Sequence, residues 1–227
     1  DSEVGVDGPD NGAVNNPLRT IGAAMTRAAG APGTVKFVRL AAGEYAEDIA
    51  LASGVTLSGP VDDPELEDDT AVIFGVITGA AGAVVEDVTI LSQDGTETLV
   101  NMDSSDMIVR RVQFIGLDTN RAGTGVLAQG LASATGLVDD CDFVDLGIGV
   151  EITGGLPVVR KSLFQDPGVA GIVVRVTADV SGDEGLSTSL DSGSGFNTFV
   201  FNPAAPIPVA EPAAVINESE VELRMEN

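Results

Sequence analysis

A seven-residue phrase returns four times along this chain with its apolar positions kept and its central charges reversing. It reads Val84-Val85-Glu86-Asp87-Val88-Thr89-Ile90, then Ile108-Val109-Arg110-Arg111-Val112-Gln113-Phe114. It continues as Leu137-Val138-Asp139-Asp140-Cys141-Asp142-Phe143 and Val158-Val159-Arg160-Lys161-Ser162-Leu163-Phe164, with starts 24, 29 and 21 residues apart. A period of that length marks one supersecondary unit per repeat, which cannot bury its apolar face alone, so neighbours must stack. In a parallel stack equivalent residues sit about 4.8 Å apart on successive coils. Like charges repel at that spacing and opposite charges attract. The pairs Glu86-Asp87, Arg110-Arg111, Asp139-Asp140 and Arg160-Lys161 therefore read as an ion ladder between coils.

Composition agrees with a narrow stacked core. Aromatics make up 4% of the 227 residues, with no Trp and a single Tyr45. No run approaches the roughly 20 apolar residues of a membrane span, so no membrane insertion is expected. The 35 acidic against 11 basic residues give a net charge of −24, which excludes non-specific binding to nucleic acid or anionic lipid. The opening Asp1-Ser2-Glu3 leads to the expectation of an extracellular or cell-surface protein whose leader has been removed. Cys141 occupies the position of Val88 and Val112 in the other phrases and is expected inside, as a small hydrophobe.

Along the chain, residues 1–15 read as an extended lead-in. Residues 16–30 read as a capping helix, with Asn16 as N-cap, Pro17 at the first helical position and Gly30 as the stop. Leu18, Ile21, Met25 and Ala28 fall on one face, suited to covering the open end of a solenoid core. Short strand signals then fill residues 31–180, punctuated by Gly, Asn and Asp with no helical period between them, which predicts an all-β, single-domain parallel β-helix. Glycine reads as the residue of tight corners between strands. Residues 60–70 are acidic, hold two prolines and read as a loop, and residues 181–213 as a loop-rich insertion or side arm. Residues 214–227 read as a last coil left open, whose unpaired backbone groups call for a cap or a partner.

The run from Asn16 to Pro60 resembles the N-terminal module of bacterial secreted right-handed parallel β-helix proteins of the pectate-lyase-like superfamily. The matching residues are Asn16, Pro17, Thr20, Ile21, Ala24, Gly43, Tyr45, Ile49, Gly54, Val55, Leu57 and Gly59. Ala42 departs from the pattern, where proline is usual. The four phrases resemble that superfamily's degenerate coil repeat. The resemblance implies the right-handed coil and secretion, and it admits polysaccharide lyases and glycoside hydrolases among its activities.

The chain has no histidine, which removes His-based nucleophile schemes and most transition-metal sites. If the protein is an enzyme, the acids and bases are Asp139, Asp140, Asp142 and Asp145 with Arg160 and Lys161 on a flanking coil, as a lyase or hydrolase would need. No cofactor is expected. Calcium is a possible ligand, and Asp62, Asp63, Asp68 and Asp69 are its weak candidates. Phe114, Phe143 and Phe164 recur at one position and are expected to form an internal stack rather than a sugar platform.

Three functions follow as expectations. The favoured one is a non-enzymatic extracellular structural or surface protein that partners itself head-to-tail through the solenoid ends, as a homo-oligomer or filament. The second is a polysaccharide-binding or adhesive module, and the third a polysaccharide lyase or hydrolase.

Overall fold

The computed structural model describes residues 5–8, 12–13, 16–32, 36–60, 70–102, 106–117, 119–129, 136–154, 157–175, 197–200 and 213–217. The one helix among the described residues, α1 (Ile21–Gly30), begins later than the expected residue 16. Thr20 is the N-cap, with extended φ/ψ of −106° and 149° and its Oγ1 accepting the Ala23 N–H at 3.2 Å. Asn16 is instead part of a fold-back in the lead-in, donating its N–H to Ala13 O at 2.9 Å and accepting from Gly12 N at 2.6 Å. Two carboxylates fix the true start. Asp7 accepts the N–H groups of Arg19 and Thr20, and Glu47 accepts those of Ile21 and Gly22 at 2.7 and 2.9 Å. Anions there satisfy orphan donors and complement the helix dipole. Glu47 comes from beyond the helix in sequence, so local pattern alone favours the earlier start.

The strands follow in coils. The first holds β1 (Lys36–Arg39), β2 (Gly43–Tyr45) and β3 (Ile49–Ala50), and the next β4 (Val55–Ser58), β5 (Ala71–Phe74) and β6 (Ile77–Thr78). Then come β7 (Val84–Leu91) with β8 (Thr98–Met102), and β9 (Ile108–Ile115) with β10 (Thr124–Ala128). The stack continues through β11 (Leu137–Asp139), β12 (Asp142–Val144) and β13 (Ile148–Ile152), and then β14 (Val158–Arg160), β15 (Leu163–Gln165) and β16 (Ala170–Val174). Above them lie β17 (Thr198–Val200) on β15 and β18 (Ala213–Asn217) on β16.

Every pairing between strands of the described residues is parallel, so the chain is a parallel β-solenoid. The sheet order defines three faces. The first face runs β1, β4, the starts of β7 and β9, β11 and β14. The second runs β2, β5, the ends of β7 and β9, β12, β15 and β17, and the third runs from β3 through β6, β8, β10, β13 and β16 to β18. Strand β17 falls within residues 181–213, and β18 opens the last repeat; the rest of 181–227 lies outside the described residues.

The recurring phrase is therefore two strands around a corner. Its second charged residue sits in the left-handed region each time: Asp87 at φ 58°, Arg111 at 51°, Asp140 at 57° and Lys161 at 55°. That kink resets the side-chain alternation. Val85, Val109, Val138 and Val159 point inward before it; Val88, Val112, Cys141 and Ser162 point inward after it, and all are buried. Cys141 is inside, as its place in the repeat predicts.

The main core cluster takes in Ile21, Met25 and Ala28 of α1 together with Val38, Leu40 and Tyr45, so the helix covers the N-terminal end of the stack, while Ile148, Ala170 and Val173 form a small separate cluster. Lys36, next to that end, donates its Nζ to Ala29 O at 2.8 Å in the last turn of α1. Deeper in, Phe114, Phe143 and Phe164 stack at centroid distances of 4.7 and 4.8 Å with planes 2° apart, and Phe199 of β17 continues the pile at 4.9 Å.

The glycines opposite those rings depart from the expected corner role. Gly125 lies within β10 and Gly149 within β13. A Cβ on Gly125 would come 2.6 Å from the Phe143 ring, and one on Gly149 would collide with Phe164. They are strand glycines that make room for an aromatic across the core.

Candidate functional site

The charged corner collects most of the chemistry-bearing residues singled out from the sequence. Glu86, Arg110, Asp139 and Arg160 are direct neighbours in register on successive coils of the first face. Asp87, Arg111, Asp140 and Lys161 form a second column at the left-handed position beside them.

The columns are engaged in two groups. In the lower one, Arg110 reaches Glu86 at 2.6 Å, and Arg111 grips Asp87 with both Nε and Nη2, at 2.6 and 2.8 Å. Arg111 also touches Glu86 at 3.1 Å, so one half-exposed guanidinium spans both acids. In the upper one, Arg160 binds Asp139 through two parallel bonds of 2.8 and 3.1 Å. Such fork-on-fork pairing fixes geometry as well as charge.

Electrostatics follow the contacts. The Arg160 hydrogen bonds hold the Asp139 carboxyl below the usual carboxylate value against the opposing effect of burial, helped by the charges of Arg160, Lys161 and Arg110. The Arg111 guanidinium is held more firmly protonated, chiefly by the Asp87 hydrogen bond. Asp142 moves the other way, raised by burial and then by the neighbouring charge of Asp140. Burial pushes the Cys141 thiol up to about 12, which leaves it inert as a nucleophile near neutrality.

The four aspartates do not form one constellation. Asp139 is paired at the end of β11 and Asp140 is exposed on the corner. Asp142 opens β12, while Asp145 follows β12 at the next corner, itself left-handed at φ 54°. Its carboxylate is bound to Arg121 Nη2 at 2.8 Å. Acid–base cleavage needs one protonated group and one unencumbered base facing the same bond; here Asp139 and Arg160 satisfy each other. Asp62, Asp63, Asp68 and Asp69 lie outside the described residues, and among the described residues no group of three or more Cys, Asp or Glu could hold a metal ion.

Several engaged residues carry no local sequence signal. Arg121 joins Asp145 and also donates Nη1 to Asp166 O at 3.2 Å, tying together the corners after β12 and β15. Arg175 pairs with Glu151 of β13 at 2.7 Å. Glu97 gathers the Ser92 hydroxyl and the N–H groups of Gln93, Asp94 and Gly95. Burial works to raise that carboxyl, but these donors outweigh it and hold it at about 2.

Asn197 does for β14 what a further strand would do. Its Oδ1 accepts the Ser162 N–H at 3.0 Å and its Nδ2 donates to Val159 O at 3.0 Å. All these partners are brought together by coil stacking, at sequence separations that no short motif spans.

Comparison with protein families, with curated proteins and with solved structures returns no match for this chain.

Proposed function

We propose that the protein is a non-enzymatic structural or surface protein, secreted and extracellular, whose rigid solenoid associates with further copies of itself through the ends of the stack. The observation that supports this reading is the engagement of much of the repeated charged corner in bidentate pairs between neighbouring coils, Arg111 on Asp87 and Arg160 on Asp139. Exposed pairs of this kind add only about 0–1 kcal/mol each, yet they penalise slipped stacking, which is what a long regular rod requires. The resemblance to secreted pectate-lyase-like β-helix proteins supports the extracellular setting and the right-handed coil.

The test combines two measurements on the full chain. Mass photometry and negative-stain microscopy across a salt and calcium titration should reveal oligomers or filaments. Asp140→Ala should leave any turnover of acidic polysaccharides unchanged from a no-enzyme control. Cleavage by the parent protein that Asp140→Ala abolishes would overturn the structural reading in favour of a lyase or hydrolase. A monomer under all conditions would remove self-association.

A further inference from the structure

We propose that the outer surface of the first face pairs two copies of this chain face to face and antiparallel, about a two-fold axis that runs along the strands between the coils of Arg110 and Asp139. The contact is lateral and goes beyond the association through the ends of the stack.

The outward positions of this face fall into rows. Val85, Val109, Val138 and Val159 are fully buried, so by the alternation of a strand the residues before them point out. These are Val84, Ile108, Leu137 and Val158, direct neighbours in register and half-buried, and they form an apolar row on the surface. Beside it runs the column Glu86, Arg110, Asp139 and Arg160, and at the corner the column Asp87, Arg111, Asp140 and Lys161. The described elements that pack extensively against β7, β9, β11 and β14 are their neighbours in the sheets.

The order of charges names the occupant. Both columns read acidic, basic, acidic, basic, and such a series is complementary to its own reverse. A two-fold axis across the stack supplies that reverse, because it inverts the order of the coils and sets each row against itself. Glu86 then faces Arg160 of the second copy, and Arg110 faces Asp139 of the second copy. At the corner Asp87 faces Lys161 of the second copy, and Arg111 faces Asp140 of the second copy. Along the apolar row Val84 meets Val158 and Ile108 meets Leu137.

The same order rejects the alternatives. Sliding one copy by a single coil sets like charge on like, and sliding by two coils leaves half of the opposed pairs. With the stacks parallel, each charged column meets its own copy, like on like, or leaves the other copy's columns altogether. Two members of the corner column also lack a partner within the chain: Asp140 and Lys161 are exposed, and neither makes an ion pair among the described residues. The antiparallel pair gives each of them an opposite charge. Arg111, still half-exposed while it holds Asp87 and Glu86, has further N–H donors to offer Asp140 of the second copy. A patch four coils long and one short strand wide falls well below the ~800 Å² per partner of a standard interface, so the pair is weak and forms at high concentration.

The test is charge-swap complementation, read by sedimentation equilibrium of the full chain up to about 1 mM protein, a range suited to weak contacts. Asp140→Lys and Arg111→Asp each put like charges opposite one another twice in a homodimer, and each should weaken association at least tenfold. Both new residues already occur at this corner position in other coils, as Lys161 and Asp87, and thermal unfolding reports whether the fold is intact. An equimolar mixture of the two variants opposes every charge again and should associate about as tightly as the parent. Leu137→Asp, which sets a carboxylate against the apolar row, should abolish association. A parent chain that stays monomeric at 1 mM overturns the proposal, as does a mixture that associates no better than its components. Association that survives Leu137→Asp runs through another surface, such as the ends of the stack, and overturns this face while leaving the end contact standing.

Discussion

Two columns run along this solenoid one corner apart, and they obey opposite rules. Inside, Phe114, Phe143, Phe164 and Phe199 repeat one residue at 4.7–4.9 Å. Outside, Glu86, Arg110, Asp139 and Arg160 repeat one position and change sign at every step. Flat apolar rings gain contact from an identical neighbour, offset or stacked, at the spacing of the strands. Identical charges at that spacing would lose. Regular stacking thus imposes sameness on the interior and alternation on the surface, and a repeat can be recognised by either signature. The inner column also dictates its opposite wall, since a ring on one face requires Gly125 or Gly149 on another.

The largest effect expected is on the inner column. Phe143→Ala should cost about 3–5 kcal/mol in denaturant unfolding. Gly149→Val, which adds volume where the Phe164 ring and the Gly171 carbonyl already sit, should be at least as damaging as ordinary overpacking, about 1–3 kcal/mol. Equal tolerance of both changes would break the idea that ring and glycine are a matched pair.

On the outer column, Asp139→Arg puts an arginine in register between Arg110 and Arg160, making three in a row. The expected loss is about 1–2 kcal/mol at low salt, shrinking as ionic strength rises. A loss that ignores salt would mean that packing, not charge, sets the cost.

The corner between the columns gives a smaller and sharper contrast. Lys161 is left-handed at φ 55°. Lys161→Val should cost about 1–2 kcal/mol, whereas Lys161→Gly should stay within about 0.5 kcal/mol, because relief of backbone strain offsets the entropy that glycine adds to the unfolded chain.

The smallest effect is one of pH. Asp139 is held below its ordinary value of 3.8 by the Arg160 hydrogen bonds, against burial. Its stabilisation is therefore fully present above that value and disappears as the pH falls below it. Asp139→Asn should remove that part of the acid dependence, read from unfolding midpoints between neutral pH and the acid limb. Phe143→Ala should leave it in place.

Much of this architecture was legible because stacking writes itself into the sequence as a period. The phrase gave away the coils, the inward Cys141, the phenylalanine pile and the order of charges. The kink in the middle of the phrase was not legible. Asp87 and Asp140 belong to a residue type that tolerates left-handed backbone, but Arg111 and Lys161 carry no such signal. The helix start at Thr20 depends on Glu47, and the rung-completing role of Asn197 depends on the strand below it.

The candidate site was less legible than the fold for the same reason. Asp139, Asp140, Asp142 and Asp145 are neighbours along the chain, and sequence proximity suggests a cluster. Two corners separate them, and their partners arrive from other coils.

The alternation of sign also restricts how such a rod can change length. Copying the unit that carries Arg110-Arg111 alone would set basic beside basic and make a fault in the outer column. Copying it together with the unit that carries Asp139-Asp140 would leave every neighbour opposite in sign. A lineage of these chains can therefore lengthen smoothly in pairs of coils and only at a cost in single ones: the surface charge acts as a parity rule on duplication.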